Sequence, residues 1–361
     1  MNRETYLKKF HELTFDNIKN GLGIVTKINI DFNKIYSKIG KINYVSNKKL
    51  LNIEQTPQNK DFMNKVLNFL ENPLLENKLD YLHAALRDIK LLIIDENGEY
   101  IVNREILDNQ YSHLIIYVME NVDATVFITT KEHNDNINNN SDLIFTDFLD
   151  VYVDNNSSIH LVELRNINRF IYSRKSIEVN KNSNIYWTNI EGPSKMNISN
   201  LNSKIYGENS GSILNTLVLS ENSEYNIFTR TDHYSVNTKS LMQSRAIVKN
   251  SKIILRGLVY INKNANNSNG YQKNEMLLLD NNSRAVSIPD LEIHNNDVKC
   301  THGSTITRID NEKIFYIQSR GLSKEDSEKI LLKGFYEKLL SEIPNGLRET
   351  VSSEIEKILY R

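Results

Sequence analysis

Asn156-Ser157-Ser158-Ile159-His160-Leu161-Val162-Glu163-Leu164 couples an Asn-Ser pair to a run of alternating apolar residues, and Asn182-Ser183 opens a similar run 26 residues later. Asn tolerates positive φ, and Asn and Ser both satisfy backbone groups in turns, so a recurring pair marks a recurring corner. The alternation is that of a strand. Further pairs stand at Asn209-Ser210, Asn222-Ser223, Asn250-Ser251 and Asn282-Ser283. Ser183 to Ser210 is 27 residues and Ser223 to Ser251 is 28, whereas Ser210 to Ser223 is 13, about half a period. Coils of this length stacked on one another bury a continuous apolar column, which is a β-solenoid. Pairs at Asn202-Ser203 and Asn267-Ser268 fall outside the register. The competing fold is a β-sandwich, which would place turn signals about every 8–12 residues.

Either side of this middle region, residues 91–319, the period changes. Residues 1–90 read as mainly helical: Tyr6, Phe10 and Leu13 form one stripe, Phe62, Val66 and Phe69 a second that Asn72-Pro73 stops, and Leu79, Leu82, Leu86 and Ile89 a third. Residues 320–361 turn helical again. Ser323 with Asp326 fits a capping arrangement, Ile330, Gly334, Phe335 and Leu339 line one face, and Pro344 closes the helix. Leu347, Val351, Ile355 and Leu359 write a second helix. These helices either cap the solenoid end or dock a partner.

The chain of 361 residues has 44 Lys plus Arg against 45 Asp plus Glu, a formal charge of −1. Without a basic cluster there is no surface for reading nucleic-acid phosphates. No apolar run approaches the roughly 20 residues that span a bilayer, and the polar N-terminus lacks an apolar signal core. Cys300 is the one cysteine, which excludes an internal disulfide and suits a reducing, cytoplasmic setting.

Catalytic signatures are missing as well. No G-x-x-x-x-G-K-[ST] occurs, so no nucleotide is expected on this chain; Gly21-Leu22-Gly23 reads as a turn; and His-Glu-x-x-His, Cys-x-x-Cys and G-x-S-x-G are absent. Arg230-Thr231-Asp232-His233 is a polar cluster on an expected strand, read as a hydrogen-bonded corner rather than a catalytic group.

One segment carries functional information: Ser287-Ile288-Pro289-Asp290-Leu291-Glu292-Ile293-His294-Asn295-Asn296-Asp297-Val298-Lys299-Cys300-Thr301-His302-Gly303-Ser304-Thr305. It resembles the C-terminal core of the SufB/SufD family of iron–sulfur cluster assembly proteins, where P-x-L-E-I leads into D-D-V-K-C-S-H-G-A-T. Leu255-Arg256-Gly257-Leu258-Val259-Tyr260-Ile261, Gln272 with Leu277-Leu278-Leu279, Ile314 to Leu322, and Leu331-Leu332-Lys333-Gly334-Phe335 are similar to further family motifs in the same order, over roughly 230–340. The departures are Asn296 for Asp, Thr301 for Ser and Ser304 for Ala. The family's tryptophan-containing W-K/R-Y-T segment near the start is not evident, since the one tryptophan is Trp187.

The resemblance implies a right-handed parallel β-helix between helical ends, pairing with a SufB-like paralogue through the β-helix, and docking of a SufC-type ABC ATPase at the C-terminal helices. Gln272 is followed by Lys273 where SufB-like chains carry cysteine, which together with the Cys-Thr-His-Gly run places the chain nearer to SufD. It implies a non-catalytic scaffold that holds an iron–sulfur cluster transiently. Cys300 and His302 are the candidate cluster ligands, shared with the partner, and His302 is the candidate metal ligand. On a strand, Val298, Cys300 and His302 share a face. Cys300 also reads as a small buried hydrophobe. Clusters usually need several thiolates, so one cysteine requires a partner. A polysaccharide-acting β-helix enzyme and a homomeric solenoid, a homodimer through the same β-helix edge, are the alternatives.

Overall fold

In a computed structural model, which describes residues 3–13, 18–19, 25–26, 39–52, 76–133 and 143–360, the Asn-Ser pairs form two stacked corners. Asn156, Asn182, Asn209, Asn237 and Asn267 all have positive φ, from 55° to 58°. The amide nitrogen of each of the last four donates to the asparagine one coil back: Asn182 to Asn156 at 3.0 Å, Asn209 to Asn182 at 3.3 Å, Asn237 to Asn209 at 3.1 Å and Asn267 to Asn237 at 2.7 Å. The steps of 26, 27, 28 and 30 residues are the coil lengths. Inside this outer ladder runs one of hydroxyls, with the Ser157 and Ser183 N–H groups donating to Ser183 and Ser210 Oγ, both at 3.1 Å.

Asn267-Ser268 is therefore in register after all. The intervening coil spells its corner Asn237-Thr238, and Thr238 Oγ1 meets Ser268 Oγ at 2.7 Å. Asn202-Ser203 lies within the strand Met196–Ile205, where Ser203 donates across the interior to Ser212 at 2.8 Å. The half-period step crosses to the opposite corner. There Asn222 and Asn250 have φ of 52° and 44°, and Asn250 donates to Asn222 at 2.6 Å.

Each of about eight turns adds one strand to each of two parallel sheets, from Asp88–Ile94 and Gly98–Ile106 to Arg284–Ile293 and Val298–Arg308. The short strands Asn43–Ser46 and Leu51–Asn52 pair antiparallel with the first turn. Of the expected N-terminal helices, Arg3–Glu12 and Lys78–Leu86 form and bury Phe10, Leu79 and Leu82 against Tyr111, Phe148 and Tyr172 on the outside of one sheet. Ile89 belongs instead to the first solenoid strand. The stripe Phe62, Val66 and Phe69 lies outside the described residues.

The lumen departs from the expected apolar column. In Ser158–Asn166 the inward residues are Ile159, Leu161, Glu163 and Arg165, so half of this strand's inward face is apolar and half is polar. Ile159, Leu161, Ile185, Trp187 and Leu214 pack in the apolar half. Beside them, Arg104 contacts Asp147 at 2.7 Å and Glu163 at 3.2 Å, Arg165 contacts Glu191 at 2.6 Å and Asp147 at 3.4 Å, and Lys175 contacts Glu163 at 2.6 Å. Three cations against three anions make this buried cluster neutral, which is the condition for charges to persist in a low-dielectric interior.

The outward residues of the same strand, Val162 and Leu164, are buried too. Helices Lys324–Glu337 and Asn345–Leu359, with the 3₁₀ turn Lys338–Glu342 between them, lie along the side of the sheet. They cover Val162, Leu164, Ile190, Leu217, Leu219, Ile247 and Leu277 with Leu332, Tyr336, Leu339, Leu340, Ile343, Val351, Ile355 and Ile358. They are thus a flank, not an end cap. Ser323 caps the first helix through the Asp326 N–H at 3.0 Å, and its hydroxyl bonds the Asp326 carboxylate at 2.6 Å. Leu332 and Tyr336 face the sheet while Ile330 is 49 % exposed, which moves the buried stripe off the expected face. Pro344 starts the second helix rather than ending the first.

Candidate functional site

The terminal coil is built like the others, and among the described residues no further strand pairs with it. Asn295 shapes its corner: the side-chain amide donates to the Lys263 carbonyl and to Asn266 Oδ1, both at 2.8 Å, and its oxygen accepts the Asp297 N–H at 2.8 Å. Val298–Arg308 then runs parallel to Ser268–Leu278, pairing Gly270 with Cys300 and Gln272 with His302. Val298 and Cys300 pack on the lumen core, so alternation turns His302 to the same inward face. Among the described residues no coil covers that face, and His302 is exposed.

Cys300 settles over a gap. A Cβ on Gly270 would lie 2.7 Å from Val259 Cγ1 and 3.4 Å from Cys300 Sγ, so the glycine gives the thiol its room. Burial pushes the Cys300 thiol up to about 11, which keeps it protonated at neutral pH in the isolated chain. A thiol in this state is a poor ligand until a metal or a positive neighbour displaces its proton.

Among the described residues, no group of three or more His, Cys, Asp or Glu side chains is placed to hold a metal ion. Cys300 and His302 give this chain two donors on one face, half the set of four that an iron–sulfur cluster commonly takes. Glu292 on the other terminal strand and His294 just past its end, which bond at 2.9 Å, lie beside Tyr260 and add nothing to that face. The Arg230–His233 cluster also divides by alternation. Arg230 pairs with Asp232 at 2.5 Å, while His233 is buried between Thr238 and Ser240, both at 2.7 Å, and desolvation lowers it to about 4.

A second exposed feature follows the last strand. Strand character ends at Arg308, and Asp310 caps the helix Asn311–Gln318 by accepting the Glu312 and Lys313 N–H groups at 3.0 and 3.3 Å. Helix thus begins before residue 320, because Asp310 supplies a cap that the apolar run Ile314-Phe315-Tyr316-Ile317 masked. Ile314 is buried, whereas Phe315 and Tyr316 are 73 % and 60 % exposed.

The family model described as "SUF system FeS cluster assembly, SufBD core domain" matches residues 100–335. The chain belongs to the SufBD core family. An iron-sulfur cluster assembly SufBD family protein of Staphylococcus epidermidis is 27 % identical over 200 residues, 54 % of this chain and 43 % of the relative. One from Staphylococcus aureus is 25 % identical over 233 residues, 63 % of this chain and 48 % of the relative. The chain spans about half the length of the curated relatives it matches. The SufBD core match takes in both features above, from the lumen network to Phe335. Within the matched region the buried carboxylates Asp147, Glu163 and Glu191 are engaged by Arg104, Arg165 and Lys175. No helix among the described residues is long and apolar enough to cross a membrane.

Proposed function

We propose that this chain is a SufD-like, non-catalytic scaffold subunit of a cytoplasmic iron–sulfur cluster assembly complex, in which a SufB-like paralogue completes the cluster site and a SufC-type ATPase supplies the energy. The observation that carries this reading is the uncovered terminal coil. Arg284–Ile293 and Val298–Arg308 are long edge strands, and an unprotected edge is a template for pairing with another chain. His302 and Cys300 stand at that edge with half a ligand set, so a partner seated there would bring the remaining donors to the same point. The cluster is cargo, held and passed on.

ATP hydrolysis belongs to the partner, because the sequence has no phosphate-cradling loop. The ATPase-docking surface is the C-terminal helical region with the preceding helix Asn311–Gln318, whose Phe315 and Tyr316 are aromatic anchors left exposed among the described residues. The strands from Asp88–Ile94 to Val298–Arg308 would form the paired core.

The test is affinity capture of tagged full-length chain from its native cell under anaerobic conditions. The expected result is co-purification of an ABC-type ATPase and a cysteine-richer paralogue. Recovery of a homodimer alone, with neither partner, would replace the scaffold reading by a homomeric solenoid paired through the same edge.

A further inference from the structure

Gln272 is fully buried, and neither atom of its amide has a hydrogen-bond partner. An amide in that position is costly unless something pairs with it. The fold nonetheless makes room for it. Gly257 faces it across the lumen, and a Cβ there would stand 1.9 Å from Gln272 Nε2 and 2.5 Å from Cδ. A glycine in a strand interior is itself unfavourable, so this niche is maintained against two penalties.

The surroundings narrow the partner. Ser287 is engaged by Asn274 at 3.0 Å, and Thr229 donates to the Arg256 carbonyl at 3.4 Å. The coil below presents Met242 in register with Gln272. The coil above presents His302 in register with Gln272, and Pro289, which has no N–H, in register with Gly257. His302 is the polar residue in register with Gln272 in the next coil, and it stands on the last strand of its sheet.

Resting on the reading of His302 as an iron-binding residue, we propose that Gln272 is its positioning residue. The Gln272 amide oxygen accepts the ring N–H of His302, which fixes one tautomer and leaves the other ring nitrogen with its lone pair directed out of the solenoid mouth. Partners of this kind fix ring orientation and raise the basicity of a ligating imidazole. They also explain why a buried amide is kept in a layer that an apolar side chain would fill.

The experiment compares wild type, Gln272→Met and Gly257→Ala as full-length, histidine-¹⁵N-labelled chains, using Zn²⁺ as a diamagnetic probe. Met conserves volume and removes both polar atoms; Ala at 257 displaces the amide while keeping its chemistry. Wild type should show one neutral tautomer of His302 without metal. Both variants should show a mixture of tautomers and bind Zn²⁺ at His302 about tenfold or more weakly. The thermal midpoint of Gln272→Met should be equal to or above that of wild type. An unchanged tautomer ratio together with unchanged Zn²⁺ affinity in Gln272→Met overturns the inference. His302→Ala binding Zn²⁺ as well as wild type would instead defeat the reading of His302 as a ligand, and the metal-free tautomer measurement separates the two failures.

Discussion

Arg104 and Asp147 meet at 2.7 Å with both side chains wholly removed from solvent. Burial alone would raise the Asp147 carboxyl, but the charges of Arg104, Arg165 and Lys175 outweigh it and hold it below the usual range. Glu191 behaves likewise, lowered by Arg165 and Lys175 against its own burial. Both folded-state values lie below the unfolded ones, so this stabilisation is fully present above the ordinary carboxylate range and is lost as pH falls through the lowered values. Chemical denaturation from pH 7 down to about 3 should show stability falling through the acid range. Arg104→Met, which leaves Asp147 and Glu163 short of a cation, should cost about 3–5 kcal/mol at neutral pH.

The asparagine corners give a conformational prediction. Asn209 combines a φ of 58° with one donated and one accepted ladder bond. Asn209→Val puts a β-branched residue into the left-handed region and should cost about 2 kcal/mol or more. Asn209→Gly keeps the backbone comfortable and loses only the exposed amide bonds, so its loss should be about 1 kcal/mol. Urea midpoints of the two variants check the order, and a smaller loss for Val would refute the conformational account.

Truncating the C-terminal helices would strip Leu217, Leu219 and Ile247 of their cover, so point changes test ATPase docking better. Phe315→Asp and Tyr316→Ala replace exposed side chains and should shift stability by less than about 0.5 kcal/mol. Pull-down of the ATPase should fall at least tenfold in each. Undiminished capture with both changes combined moves the docking surface elsewhere.

At the open end the two motif residues should separate. Cys300→Ala removes a half-buried sulfur over Gly270 and should cost about 1 kcal/mol, with partial loss of iron–sulfur enzyme maturation in complemented cells. His302→Ala removes an exposed side chain, so the thermal midpoint should hardly move while maturation is blocked. Paralogue binding should survive both, since an edge-to-edge interface is far larger than one side chain. Loss of paralogue binding with His302→Ala would make it an interface residue.

The solenoid was legible in the sequence because its two signals are local: positive φ at Asn and a period of two in the strands depend on neighbours a few residues away. The Asn-Ser pairs found both corners but not every coil: the first corner is spelled Asn237-Thr238 in one coil and Asn121-Val122 in an earlier one, where Asn121 has a φ of 63°. The run from Val298 to His302 was legible for the same reason, as one strand with one inward face. What covers each face is not local. Glu163 and Arg165 alternate with Val162 and Leu164 in one strand, and nothing nearby in the chain tells that the charged pair lies inside while the apolar pair is covered by helices from the far end. The unpaired amide of Gln272 is likewise invisible until Gly257 is brought opposite it. Sequence thus determined the coil and the motif. Burial, which sets the neutrality of the lumen network, the flank packing and the open mouth at His302, was decided only when coils tens of residues apart came into contact.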